Sequence, residues 1–216
     1  MAQANDSILV TPGSGATVAT HTVASKEHQV VMIADPDGQL RNSNPVYTLI
    51  VQGSTVGANK VHMDMFNADP AILVKVLSVK VRPDIDTAVT GVVSAEIALT
   101  RTTAVGTGGT AAVLDGTTLT APTFAELDTA SPALDADITA RAAPTAGATA
   151  GALLGIRHVF TEETNAGASL VAAFGAEFVH EDYPIMLRQN QGLRLVQGAV
   201  ASVGTLNFEI LFETVS

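Results

Sequence analysis

The chain has no cysteine and no tryptophan among its 216 residues, and aromatic residues make up only 4% of it. Without a thiol there is no disulfide scaffold, no Cys-ligated zinc, no iron–sulfur cluster and no cysteine nucleophile, and the redox compartment stays undecided. Positive charge is also scarce, with 11 Lys and Arg against 21 Asp and Glu, a net charge of −10. Binding to nucleic acid or to an anionic membrane needs clustered cations to neutralise phosphate, so neither partner is expected. Long apolar runs are missing too. The longest candidate for a span, Ile72–Val81, is broken by Lys75 and Lys80, well short of the ~18 apolar residues a membrane helix needs. No basic residue precedes Lys26, so the start lacks the pattern of a secretory signal.

What is present is a hydrophobic content of 47% with only 15% charged residues, the opposite of a disordered composition. Period-2 alternation carries most of it. Val61–Asn67 places Val61, Met63 and Met65 on one face and His62, Asp64 and Phe66 on the other. Val93, Ala95, Ile97 and Leu99 alternate with Ser94, Glu96 and Thr100. At the C-terminus Leu206, Phe208, Ile210 and Phe212 point inward, with Asn207, Glu209 and Glu213 outward. In Ile72–Arg82 the polar residues change parity between Lys75 and Ser78, which predicts a β-bulge near Val76–Ser78. Further runs fall at His28–Ala34, Val46–Gln52, Leu153–Phe160, Ser169–Phe174, Ile185–Arg188 and Leu193–Gln197. The last two read as a hairpin across Gln189-Asn190-Gln191-Gly192, with the glycine free to adopt positive φ.

About ten short strands with turn signals between them, and almost no 3.6-residue periodicity, predict an all-β fold, a β-sandwich or jelly roll. The one helical candidate is a short turn at Phe124–Asp128, extending at most to Ile138. Residues 1–25 read as an extended N-terminal arm and 26–216 as a single sandwich domain. Within it, about 101–150 is a long Ala/Thr/Gly-rich insertion, in which 14 Ala and 12 Thr fill just over half the positions. Small residues lose little side-chain entropy on ordering, so arm and insertion suit close contact with neighbouring chains.

Chemistry candidates are few. His62 and Asp64, on one strand face, offer two metal ligands with no third at recognisable spacing. His180-Glu181-Asp182 reads as a polar loop, and His158 as a histidine satisfied within the sandwich. Glu162, Glu163 and Asn165 offer oxygen ligands, short of the roughly six that calcium takes. Gly106-Thr107-Gly108-Gly109 lacks the Lys-Ser/Thr and the surrounding Rossmann unit of a phosphate cradle. The expectation is therefore no catalytic, cofactor-binding or metal residues, no cofactor and no enzyme activity. Scarce aromatics also disfavour a sugar-stacking platform.

Three stretches resemble virion structural proteins of tailed bacteriophages. They are Thr11–Thr20 leading into Lys26–Val31, Arg101–Thr110 together with Phe160–Gly167, and Gln191–Leu193 with Val200–Gly204 and Phe208. The resemblance implies a non-enzymatic virion component with a jelly-roll-like sandwich, oligomeric and most simply a homotrimer. Within that family it points to a capsid decoration (cement) protein, with the major capsid protein and copies of itself as partners. The capsid surface is then its place, after synthesis in the bacterial cytoplasm. The alternative is a head-fibre, neck or tail component engaged in host-surface recognition or assembly.

Overall fold

A computed structural model describes residues 18–23, 26–31, 44–84, 91–116, 121–129, 131–145, 150–163, 170–179, 184–200 and 203–215. The chain divides into two compact units, Met1–Ser43 and Asn44–Ser216. In the first, β1 (Val18–Val23) pairs antiparallel with β2 (Lys26–Val31), Val18 opposite Val31 and Val23 opposite Lys26. β1 thus lies within the expected arm, whose residues 1–17 and 24–25 fall outside the described residues.

The second unit is all-β. Its strands are β3 (Val46–Thr55), β4 (Val61–Asn67), β5 (Leu73–Pro83), β6 (Gly91–Thr102), β7 (Thr110–Ala111), β8 (Val113–Leu114) and β9 (Thr123–Glu126). They continue with β10 (Ile138–Ala142), β11 (Ala150–Glu163), β12 (Leu170–Phe174), β13 (Ala176–Val179), β14 (Ile185–Leu187), β15 (Gln191–Gln197) and β16 (Thr205–Val215). One sheet, called sheet I here, runs β12-β11-β6-β15-β4-β10-β7 and is antiparallel throughout. Sheet II runs β13-β5-β16-β3-β9-β8, with β14 also on β5, and only β8–β9 is parallel. A single hydrophobic core draws on both sheets, so the two lie face to face as a sandwich.

Alternation explains the core. Leu206, Phe208, Ile210 and Phe212 of β16 are all buried, as are Ala95, Ile97 and Leu99 of β6. Phe212 lies between Tyr47 and Phe124, with ring centroids at 5.5 and 6.0 Å. Truncating such a ring to alanine costs about 3–5 kcal/mol. In β5 the buried residues are Val74 and Val76, then Val79 and Val81. Against β16, Phe212 pairs with Val76 and Leu211 with Ser78, which leaves Leu77 as the extra residue of a bulge. This is where the change of parity predicts it.

Four expectations need correction. Phe124–Asp128 is no helical turn: Thr123–Glu126 is β9, paired with β3, and Phe124 is a core side chain. Gln189–Gly192 joins no hairpin, because β14 lies in sheet II and β15 in sheet I. The positive φ there belongs to Asn190 (59°), while Gly192 is a strand residue. A Cβ on Gly192 would collide with the carbonyl of Met65 on the neighbouring strand. Glu213 keeps the outward parity but is buried, held at 2.7 Å by Lys75, its register partner on β5. Finally, residues 101–150 themselves carry strands. β7 and β10 extend sheet I past β4, and β8 and β9 extend sheet II past β3.

Candidate functional site

His62 and Asp64 do not share a strand face. Against β15, Leu195 pairs with Met63 and Val196 with Val61, so His62 is the extra residue of a bulge in β4. The bulge turns the imidazole toward sheet II, where its ring lies 4.9 Å from that of Phe208. The side chain is fully buried, yet both nitrogens have partners. Gln197 fixes the tautomer: its Oε1 accepts from Gly57 N–H at 2.7 Å and its Nε2 donates to Val200 O at 3.1 Å. Oε1 therefore accepts from His62 Nε2–H at 3.2 Å, and Nδ1 accepts from the Ser54 hydroxyl at 2.9 Å. Burial, with the nearby Lys60 charge, pushes the imidazole down to about 4, so it is neutral at neutral pH. The cluster pins the Gly57 turn and the loop after β15 to one end of the core.

Asp64 keeps the other face of β4, in register with Arg141 on β10 and Arg194 on β15. It is 3% exposed. Backbone N–H groups of Gly106 and Arg141 and the two guanidinium charges favour its ionised form, but burial outweighs them and raises its pKa. Its Oδ2 has no hydrogen-bond partner among the described residues. A Cβ at Gly106 would overlap this carboxylate. The Gly106–Gly109 segment folds over this carboxylate of its own chain, helped by positive φ at Gly108 (68°) and Gly109 (62°). Thr145 N–H donates to Thr107 O at 2.9 Å and Arg141 Nη1 to Gly108 O at 3.1 Å, fixing the strap.

The remaining candidates are scattered. His158 is a surface residue, its Nε2 3.9 Å from Glu96 Oε2, and not a histidine inside the sandwich. Glu162 and Glu163 lie on β11. Asn165 and His180-Glu181-Asp182 lie outside the described residues.

Two features of the structure were not foreseen in the sequence. The first is a cavity of about 330 Å³ where the edges of the two sheets meet, β7 and β8 being joined through Ala112. Phe124, Ile138, Ala140 and Leu134 line it with the more exposed Val105 and Leu114, and Asp135 and Asp137 are also in its lining. Ala112 N–H donates to Ala140 O at 2.9 Å, and Tyr47 Oη donates to Pro132 O at 2.7 Å, so the cavity walls are tied to the core. The second is the meeting of Asp69, Asp135 and Asp137, each offering an oxygen within 4.8 Å of the others. Asp135-Ala136-Asp137 is visible in the sequence, but Asp69 joins it only because β4 pairs with β10 and Ala68 N–H donates to Asp137 O at 3.0 Å. Carboxylates are the ligand type of a hard cation such as calcium, and two of these already accept local backbone N–H groups. Asp69 Oδ1 takes those of Ala71 and Ile72 at 2.6 and 2.7 Å, and Asp135 Oδ1 takes that of Asp137 at 2.8 Å.

The geometry provides a polar cluster that holds loops, a carboxylate sealed beneath a glycine strap, and an apolar depression with an acidic rim. Of these three, the last opens to the surface. In comparisons with protein families, curated proteins and solved structures, none matches this chain.

Proposed function

We propose that this chain is a non-enzymatic structural subunit of a bacteriophage virion, with a jelly-roll-like sandwich that docks on major capsid subunits as a decoration protein. The observation that carries the reading is the apolar, cavity-bearing edge where β7 and β8 meet. Val105, Val113 and Leu114 are exposed there, beside a cavity floored by the core residues Phe124, Ile138 and Ala140. Exposed apolar side chains at the mouth of an apolar cavity suit contact with another macromolecule. Two further apolar pairs stand exposed, Leu153 with Ile156 on β11 and Val200 with Val203 after β15. The chemistry-bearing residues fit the same reading, since His62 and Asp64 are consumed by loop fixation. The net charge of −10 suits a subunit kept off a packaged genome. Self-association as a homotrimer belongs to this proposal.

Imaging virions with and without the protein tests it. Extra density over the capsid lattice is the expected result. Density confined to the neck or tail, or none on the particle, would overturn the decoration role.

A further inference from the structure

We infer that the cavity at the joined sheet edges takes an extended segment of another protein chain, one that carries two large apolar side chains and a lysine or arginine. This deepens the structural-subunit reading and rests on it only in that the partner is a protein.

Size comes first. A cavity of about 150 Å³ accepts one benzene ring, so about 330 Å³ has room for two large side chains. Backbone geometry comes second. Among the described residues β8 is the terminal strand of sheet II, and the N–H groups of its Val113 and of Asp115 just after it both donate toward β9, to Pro122 O at 3.0 Å and Phe124 O at 2.7 Å. Alternation then turns the Leu114 peptide groups away from β9, where an added strand would meet them. Such a strand directs every second side chain to one face, which matches a cavity beside the edge. Charge comes third. Asp135 and Asp137, with Asp69 beside them, make the rim acidic. Among the described lining residues the one cation is Arg141, which is engaged with Gly108 O and lies beside Asp64. A rim of this kind selects a basic residue and repels a second copy of a chain that itself carries −10.

The test uses the full chain and a labelled heptapeptide probe in which threonine alternates with leucine, phenylalanine and lysine, read by fluorescence anisotropy. The lysine peptide is expected to bind at least about tenfold tighter than its glutamate counterpart at low salt, with the gap narrowing as salt rises. Val105→Trp and Leu114→Lys, both at exposed positions, should each weaken binding more than about tenfold, and Asp135→Asn with Asp137→Asn should remove most of the charge preference. Circular dichroism checks that each variant is folded. Equal binding of the two peptides, binding insensitive to Val105→Trp, or no binding would overturn the inference. So would self-association of the wild type that Val105→Trp abolishes, since the occupant would then be a second copy. Indole saturating the site equally well in wild type and the Asp variants would point to a small-molecule pocket and also overturn it. None of these outcomes depends on where the protein sits on a virion, so the two proposals fail separately.

Discussion

Around His62 every polar atom of the ring has a partner and the group is held neutral. Around Asp64, two residues along the same strand, one carboxylate oxygen has no partner among the described residues and two arginines stand beside it. A one-residue bulge separates them, sending the imidazole into the space between the sheets and leaving the carboxylate beneath the glycine strap. The difference teaches how burial acts on titratable groups. Desolvation penalises the charged form in both cases, lowering the histidine and raising the aspartate, so the two respond to acid in opposite directions.

The largest effect expected from this contrast is acid lability from His62. Its folded value of about 4 lies below the ordinary 6.5, so the stability from keeping it neutral is complete above pH 6.5 and is lost as pH falls toward 4. That depression corresponds to about 3 kcal/mol. Urea titrations between pH 7 and 4 should show the loss in the wild type and a much shallower slope in His62→Leu. Next comes Gly106→Ala, whose Cβ collides with the Asp64 carboxylate. It should cost about 2 kcal/mol, and the cost should shrink when Asp64→Ala is present in the same chain, the 3.0 Å approach to Pro144 Cβ remaining.

Ser54→Ala should cost about 1 kcal/mol by leaving Nδ1 of His62 without its donor. Urea titration at pH 7 reads this loss. The smallest effect belongs to Asp64. Its raised pKa means that the native state takes up a proton before the unfolded chain does. The destabilisation present above its folded value is therefore relieved as pH falls toward 3.8. Comparing His62→Leu with His62→Leu/Asp64→Asn isolates this term, and a difference of the opposite sign would break the contrast.

The bulge at Leu77 was legible in the sequence and the bulge at His62 was not, for one physical reason. β5 carries Lys75, Ser78, Lys80 and Arg82 on a face with solvent access, so a slip in phase shows as a slip in polarity. In β4, residues 62 to 67 are all buried, because the strap covers the outer face as sheet II covers the inner one, and the contrast that marks a face is gone. The edge strands β7 to β10 were hidden differently. Alanine and threonine neither demand burial nor resist it, so their stretch read as an insertion although its strands complete both sheets. Phe124 shows the same ambiguity, its short run reading as a helical turn until pairing with β3 settled it as a strand.

The sequence by itself determined the all-β class, the inward residues of β5, β6 and β16, and the absence of thiol chemistry, because alternation and composition are local properties. Only the tertiary structure decided which polar groups are buried and with whom they pair. Gln197 meets His62 across 135 positions, Glu213 meets Lys75 across 138, and Asp69 joins Asp135 and Asp137 through the β4–β10 ladder. Strand register sets those meetings, and register depends on how distant segments pair, which no single stretch of the chain records.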